Sequence, residues 1–198
     1  MMVERPWKNI ALHVLDEAGV VIEADRVRLP YFRPDGIVHR ERIVLPDGRR
    51  WWSPGERLIP YGLEFLPSPT VARRGALLLA EGESDALALR EATCVIGGIY
   101  VLGVPGALTW TPEWRSFVDE FPLVYVVGDG DDAGGKMIEK VVSSLPWAIP
   151  VRMPAGEDAR SVVQRAGIAA FAEIADAAAS RALEDDRLSR RLLGGVRR

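Results

Sequence analysis

The chain has 198 residues, nearly half of them apolar, enough for one domain with a smaller appendage and a substantial core. Its formal net charge of −3 carries no global signature of a nucleic-acid binder. A single cysteine, Cys94, excludes an internal disulfide and a multi-cysteine zinc site, and with only His13 and His39 besides, no zinc is expected.

No signal peptide or membrane span is apparent: Leu77 to Ala80 is far short of the ~20 apolar residues a spanning helix needs. A cytoplasmic protein with no membrane association is predicted. Residues 7–18 place Ile10, Ala11, Val14 and Leu15 at helical spacing, with Gly19 as a stop. Short β-like runs follow at 20–22 and 27–32. Residues 37–52 read as a hairpin around Pro46-Asp47-Gly48. The proline-containing stretch 58–74 is irregular and marks a subdomain boundary.

From Gly75 the texture changes. Ala76–Ala80 is a continuous apolar run, as in a strand buried on both faces. Further strands are predicted at 99–104, 123–127 and 149–153. Helices are predicted at 84–92, from Thr111-Pro112, at 133–144, 158–166 and 168–183. Alternating strands and helices imply an α/β fold: a mostly parallel sheet with helices on both faces, preceded by a small α+β N-terminal subdomain. The expected organisation is 1–74, 75–178 and a basic tail, 179–198.

Functional groups of such sheets gather at the carboxyl ends of the strands. The first of these strands ends in E-G-E-S-D (81–85) and the third in G-D-G-D-D (128–132). If the two strands are close, Glu81, Asp129 and Asp131 converge, with Asp85 a turn into its helix. Carboxylates crowded this way repel unless a cation lies between them, and oxygen donors without His or Cys suit Mg²⁺ or Mn²⁺. The competing explanation is that acids simply begin helices; it accounts well for Asp132 but poorly for two clusters that each follow a buried strand. A calcium-binding helix–loop–helix, a haloacid-dehalogenase-like phosphatase and a phosphate loop all fit badly, because Ala133 and Met137 stand where those motifs need other residues.

L-L-L-A-E-G-E-S-D-A-L-A-L followed by D-G-D-D-A-G resembles the Toprim domain of topoisomerases, DnaG-like primases, OLD nucleases and RecR, over residues 75 to about 175. Gly103 matches a glycine that primases carry between the two motifs. Residues 153–167 resemble the primase segment G-x-D-x-[DN], with Asp158 as its first acid and Arg160 in place of the second. R-R-W-W-S-P-G and Y-G-L resemble K-Y-x-N-S-P and Y-G-L of the primase N-terminal subdomain, with Arg50 at the lysine position and Trp52 replacing the asparagine.

The resemblance implies a Rossmann-like Toprim fold and metal-dependent, template-directed RNA primer synthesis in DNA replication, in the setting of a phage or mobile element. Asp129, Asp131 and Asp158 would hold Mg²⁺ or Mn²⁺. Glu81 would be a ligand or the general base toward the attacking 3′-hydroxyl, and Asp85 would support the site. Residues 26–50 hold seven arginines against Asp35, Glu41 and Asp47, a local charge of +4. Arg40, Arg42, Arg49 and Arg50, with Lys136, would hold a single-stranded DNA template or a nucleoside triphosphate, and Trp51 or Trp52 would stack on bases. The alternative is a solvated strand face with the tryptophans in the core. A zinc-binding or helicase subunit would be supplied separately, since Cys94 alone builds no zinc ribbon. Two other functions remain open at this point: a Toprim nuclease and a non-catalytic nucleic-acid or partner-binding module.

Overall fold

A computed structural model describes residues 7–194, with side chains through residue 185. After α1 (Leu12–Glu17) come β1 (Val21–Ile22), β2 (Val27–Phe32), β3 (Val38–Val44) and β4 (Arg50–Trp52), an antiparallel sheet in that order. The helix predicted over 7–18 begins only at Leu12. Lys8 and Asn9 have φ of 53° and 58°, and Trp7 bridges to Ile10, so the chain turns first. Ile10, Ala11, Val14 and Leu15 are still buried together. The hairpin register pairs Arg42 with both Leu29 and Trp52.

The second sheet contains β5 (Ala76–Glu81), β6 (Ile99–Val104), β7 (Leu123–Gly128) and β8 (Ile149–Arg152), all parallel, in the order β6-β5-β7-β8. Strand β5 is central and buried on both faces, as its continuous apolar run requires. Leu77 and Leu79 point one way, Leu78 and Ala80 the other. Each such leucine contributes roughly 1.5–3 kcal/mol by leaving water. Helices α3 (Glu83–Thr93) and α5 (Ala159–Gly194) cover one face through Leu87, Leu89, Val162 and Phe171. Helix α4 (Asp132–Ser144) and the 3-10 segment Pro112–Phe117 cover the other through Met137, Val141 and Trp114. A four-residue helix, α2 (Pro69–Ala72), precedes β5.

Two helix predictions change. The segment opened by Thr111-Pro112 is 3-10, and the threonine side chain makes no capping bond. Such tight helices serve as short connectors, and here Trp114 packs edge-on against Trp110 at 5.7 Å. The break predicted between 166 and 168 is present: Gly167 (φ 78°, ψ 173°) interrupts α5. The second half then continues to Gly194 instead of ending at 183, so much of the expected tail is helical. The basic side chains from Arg187 onward lie outside the described residues.

The two sheets share a core. Ile10, Leu29, Tyr31 and Tyr61 are buried in one cluster with Leu78, Ala80, Ala86 and Phe171. The backbone is also joined across this boundary: Tyr61 N–H donates to Gly103 C=O at 2.8 Å, and Gly103 N–H to Tyr61 C=O at 2.9 Å. The Y-G-L stretch therefore docks on β6. Only glycine fits at 103, where a Cβ would lie 2.8 Å from the Gly82 carbonyl oxygen and 3.2 Å from the Tyr61 Cβ. Gly103→Val is expected to cost about 1–3 kcal/mol, read by urea denaturation. Among the described residues no helix is long and apolar enough to cross a membrane.

Candidate active site

Strands β5 and β7 are hydrogen-bonded neighbours with Ala80 opposite Val127, so Glu81 and the turn after Gly128 leave the sheet side by side. The chain after β8 closes the third side. Gly130 N–H donates to the Glu157 carbonyl at 2.8 Å, and a Cβ on Gly130 would fall 1.8 Å from the Pro154 carbonyl oxygen. That close approach brings Asp158 to the same crevice, a pocket of about 230 Å³ lined by Asp129, Gly130, Asp131, Gly156, Glu157 and Asp158. Asp85, buried in the first turn of α3, accepts from the Arg160 amide at 2.9 Å.

Crowding raises the proton affinity of these acids. Burial, and then the charges of Asp85, Glu81, Asp158 and Asp131, push Asp129 up to about 8. Burial carries Asp85 to about 6 against the opposing Arg160 amide, with Asp158 raising it further. Glu81 is raised by burial and by Asp131, and lowered by the Asp129 amide and the Arg50 charge. Its Oε2 is buried with no hydrogen-bond partner. Asp131 Oδ1 caps α4, accepting from Gly134 N–H at 2.9 Å. Asp132 is the exposed first residue of that helix, as expected.

Among the described residues no group of three or more His, Cys, Asp or Glu side chains stands close enough together to hold a metal ion as placed. The acids face one another across the crevice, and their like charges add to burial in raising Asp129. The donor set fits Mg²⁺ or Mn²⁺: hard oxygens only, with an orphaned carboxylate oxygen on Glu81 and a strongly destabilised charge on Asp129.

The basic strip is arranged differently from the sequence expectation. Arg40 and Arg42 do share one face of β3, but it is the inner face, with Tyr31 and Leu29 opposite them. Arg42 is buried, donating to Glu83 Oε1 at 2.7 Å and to the Pro105 carbonyl at 3.2 Å, and lies over the Trp52 ring. Tyr31 donates to the same Glu83 oxygen. Arg42 is thus a brace between the two sheets rather than a phosphate ligand. Arg40 is turned to the carbonyls of Ser53 (2.8 Å) and Glu56 (2.9 Å), Arg49 to Asp47 (2.7 Å), and Trp52 packs on Tyr31. Arg50 is exposed and acts on Glu81, while Trp51 and Lys136 are exposed. One group the sequence reading passed over is Arg152, which ends β8, donates to the Asp131 carbonyl at 2.9 Å and overlies Gly135. Its signal was an arginine at the carboxyl end of the fourth parallel strand, where sites of such sheets form.

Comparison with known structures places this architecture. The primase fragment of the bacteriophage T7 primase-helicase superposes with a TM-score of 0.70 at 17% identity, covering 84% of this chain and 70% of that one. A DNA primase domain from Pseudomonas aeruginosa gives 0.60 at 23% identity, covering 81% of this chain and 56% of that one. The chain has the fold of a DnaG-like primase catalytic core. Among curated proteins, the gene 57 protein of Mycobacterium phage D29 is 36% identical over 97 residues, covering 49% of this chain and 60% of that protein. The DNA primase DnaG of Ignicoccus hospitalis is 28% identical over 110 residues, covering 55% of this chain and 24% of that protein. The chain therefore corresponds to part of the length of these curated relatives. No protein-family model matches it.

Proposed function

We propose that the chain performs primase-type nucleotidyl transfer: template-directed synthesis of an RNA primer in DNA replication, in a phage or mobile-element setting. The observation that carries this reading is the juxtaposition of Glu81 with Asp129 and Asp131 on adjacent strand ends, faced by Arg50 from the antiparallel sheet. Solved structures with this fold include a DnaG primase catalytic domain bound to single-stranded DNA, and the primase domains of two gp4 subunits interacting with T7 lagging-strand DNA polymerase in a complex that holds an RNA/DNA hybrid and dTTP. The match to a phage gene product agrees with the setting.

In this reading Glu81, Asp129 and Asp131 would hold Mg²⁺ or Mn²⁺, which would supply charge neutralisation at the triphosphate and at the reacting phosphorus. The 3′-hydroxyl of one nucleotide attacks the α-phosphorus of the next, and pyrophosphate leaves. Glu81, whose Oε2 is buried without a hydrogen-bond partner, would serve as ligand or as the general base that takes the hydroxyl proton. Arg50, which acts on Glu81, and Arg152, which bonds the Asp131 carbonyl, would contact phosphates, Lys136 would add a third charge, and exposed Trp51 would stack on template bases. A helicase or zinc-binding subunit is the expected protein partner. Replacing Arg50 with glutamine is expected to lower primer yield about tenfold, measured at fixed template and nucleotide concentrations.

The test is incubation with single-stranded DNA templates, four ribonucleoside triphosphates and Mg²⁺ or Mn²⁺. Template-dependent oligoribonucleotides support the proposal. Metal-dependent nicking of DNA without nucleotides indicates the nuclease reading instead. A second reading, a non-catalytic nucleic-acid-binding module, is favoured by one observation: Arg160 neutralises Asp158 at 2.7 Å. Template binding that survives Glu81→Gln and Asp129→Asn, with no product from the wild type, selects it.

A further inference from the structure

Besides Glu157, which pairs with Arg165 at 2.6 Å, five carboxylates act on one another at the crevice, and their surroundings divide them. Asp158 has both oxygens engaged: Oδ1 accepts from Ser161 N–H at 2.6 Å and Oδ2 from Arg160 Nη2 at 2.7 Å. Its backbone takes part as well, since Ser161 Oγ donates to the Asp158 carbonyl at 2.8 Å and accepts from the Asp158 amide at 3.0 Å. Asp85 accepts the Arg160 amide at 2.9 Å. The Arg160 and Asp158 side chains are 21% and 25% exposed, so the pair is only weakly screened by water. On the other side of the crevice, Glu81 keeps a buried, unpartnered oxygen, and Asp131 commits one oxygen to its helix cap.

We infer that Arg160 is a built-in counter-cation for the Asp85–Asp158 half of the crevice, so that the chain binds one divalent ion, between Glu81, Asp129 and Asp131, with Asp158 outside the ligand set. The inference rests on the reading of the crevice as a cation site and specifies its occupancy. For Asp158 to ligate, it would have to leave both the guanidinium and the first turn of α5. Arg160, whose Nε is already buried without a partner, would then face the incoming cation. Breaking a partly buried ion pair in that way is costly, because it leaves a charge uncompensated. On the other side Arg152 bonds only the Asp131 backbone carbonyl and Arg50 acts on Glu81 through its charge alone, so the Glu81, Asp129 and Asp131 carboxylates gain the most from a cation.

The experiment is a Mn²⁺ titration of the metal-free full chain, followed by the electron paramagnetic resonance signal of free Mn²⁺, a readout independent of activity. The wild type is expected to bind one Mn²⁺ per chain. Asp129→Asn is expected to weaken binding by about tenfold or more, and Asp158→Asn to change it by less than about threefold. Arg160→Asp is expected to create a second Mn²⁺ site. Two ions per wild-type chain, or an Asp158→Asn loss as large as that of Asp129→Asn, would overturn the inference while leaving the primase reading intact. No binding at all would overturn both. If Arg160→Asp does not fold, as judged by circular dichroism, the wild-type stoichiometry and the Asp158→Asn affinity decide.

Discussion

Asp129→Asn is expected to have two opposite effects: loss of template-directed synthesis and a gain in stability of the metal-free protein at alkaline pH. The folded chain holds the Asp129 carboxyl at about 8, against 3.8 for the free side chain. A carboxyl with a raised folded-state pKa contributes stability that is fully present below about pH 4. That contribution declines as the pH rises and is lost above about 8, where the folded protein must carry the charge. Asparagine never pays this penalty. The half-exposed position lets water screen much of the effect, so the expected gain at pH 9 is about 1–2 kcal/mol, with little change at pH 4. Urea denaturation of both proteins across that pH range, in chelator, checks it. Mg²⁺ or Mn²⁺ should then stabilise the wild type more than the variant. Synthesis should fall about 10²–10³-fold, in line with removal of one group that stabilises transition-state charge. Equal stability at both pH values would mean that the crevice does not strain its acids.

The second large effect is expected at the brace between the sheets. Arg42 and Glu83 are both buried, and the guanidinium also bonds the Pro105 carbonyl and lies over Trp52. Removing one member leaves an unpaired charge in the core, so Arg42→Ala and Glu83→Ala should each cost about 3–5 kcal/mol. Removing both with apolar replacements, Arg42→Met with Glu83→Leu, should recover a large part of that, because the desolvation cost disappears together with the pair. The residual loss would come from the Tyr31 hydroxyl, which donates to Glu83 and would then lack an acceptor. A cycle in which the single losses simply add would contradict the pairing. Glu83 lies between Glu81 and Asp85, so the same variants should also displace the start of α3 and lower activity.

The centre of the parallel sheet was readable because β5 and β7 are continuous apolar runs followed by glycine and acids. The convergence of Glu81 with Asp129 was readable for the same reason: both end strands of one sheet. The brace was not. Alternation along β3 says that Arg40 and Arg42 share a face, but not which face is inward. That follows from the register that sets Leu29 and Tyr31 opposite them, a long-range fact. The N-terminal helix was overextended because Trp7 and Ile10 suit a helix and a turn equally well, and the positive φ of Lys8 and Asn9 leaves no mark in composition. Arg160 was legible only as a departure from a family pattern; its bond to Asp158 needed the fold.

The most direct measurement for the central claim is an anomalous difference map from crystals soaked in Mn²⁺ with a nucleoside triphosphate. A peak between Glu81, Asp129 and Asp131, with the triphosphate reaching toward Arg50, is the predicted result. A triphosphate bound elsewhere, or no Mn²⁺ in the crevice at saturating concentration, would contradict it.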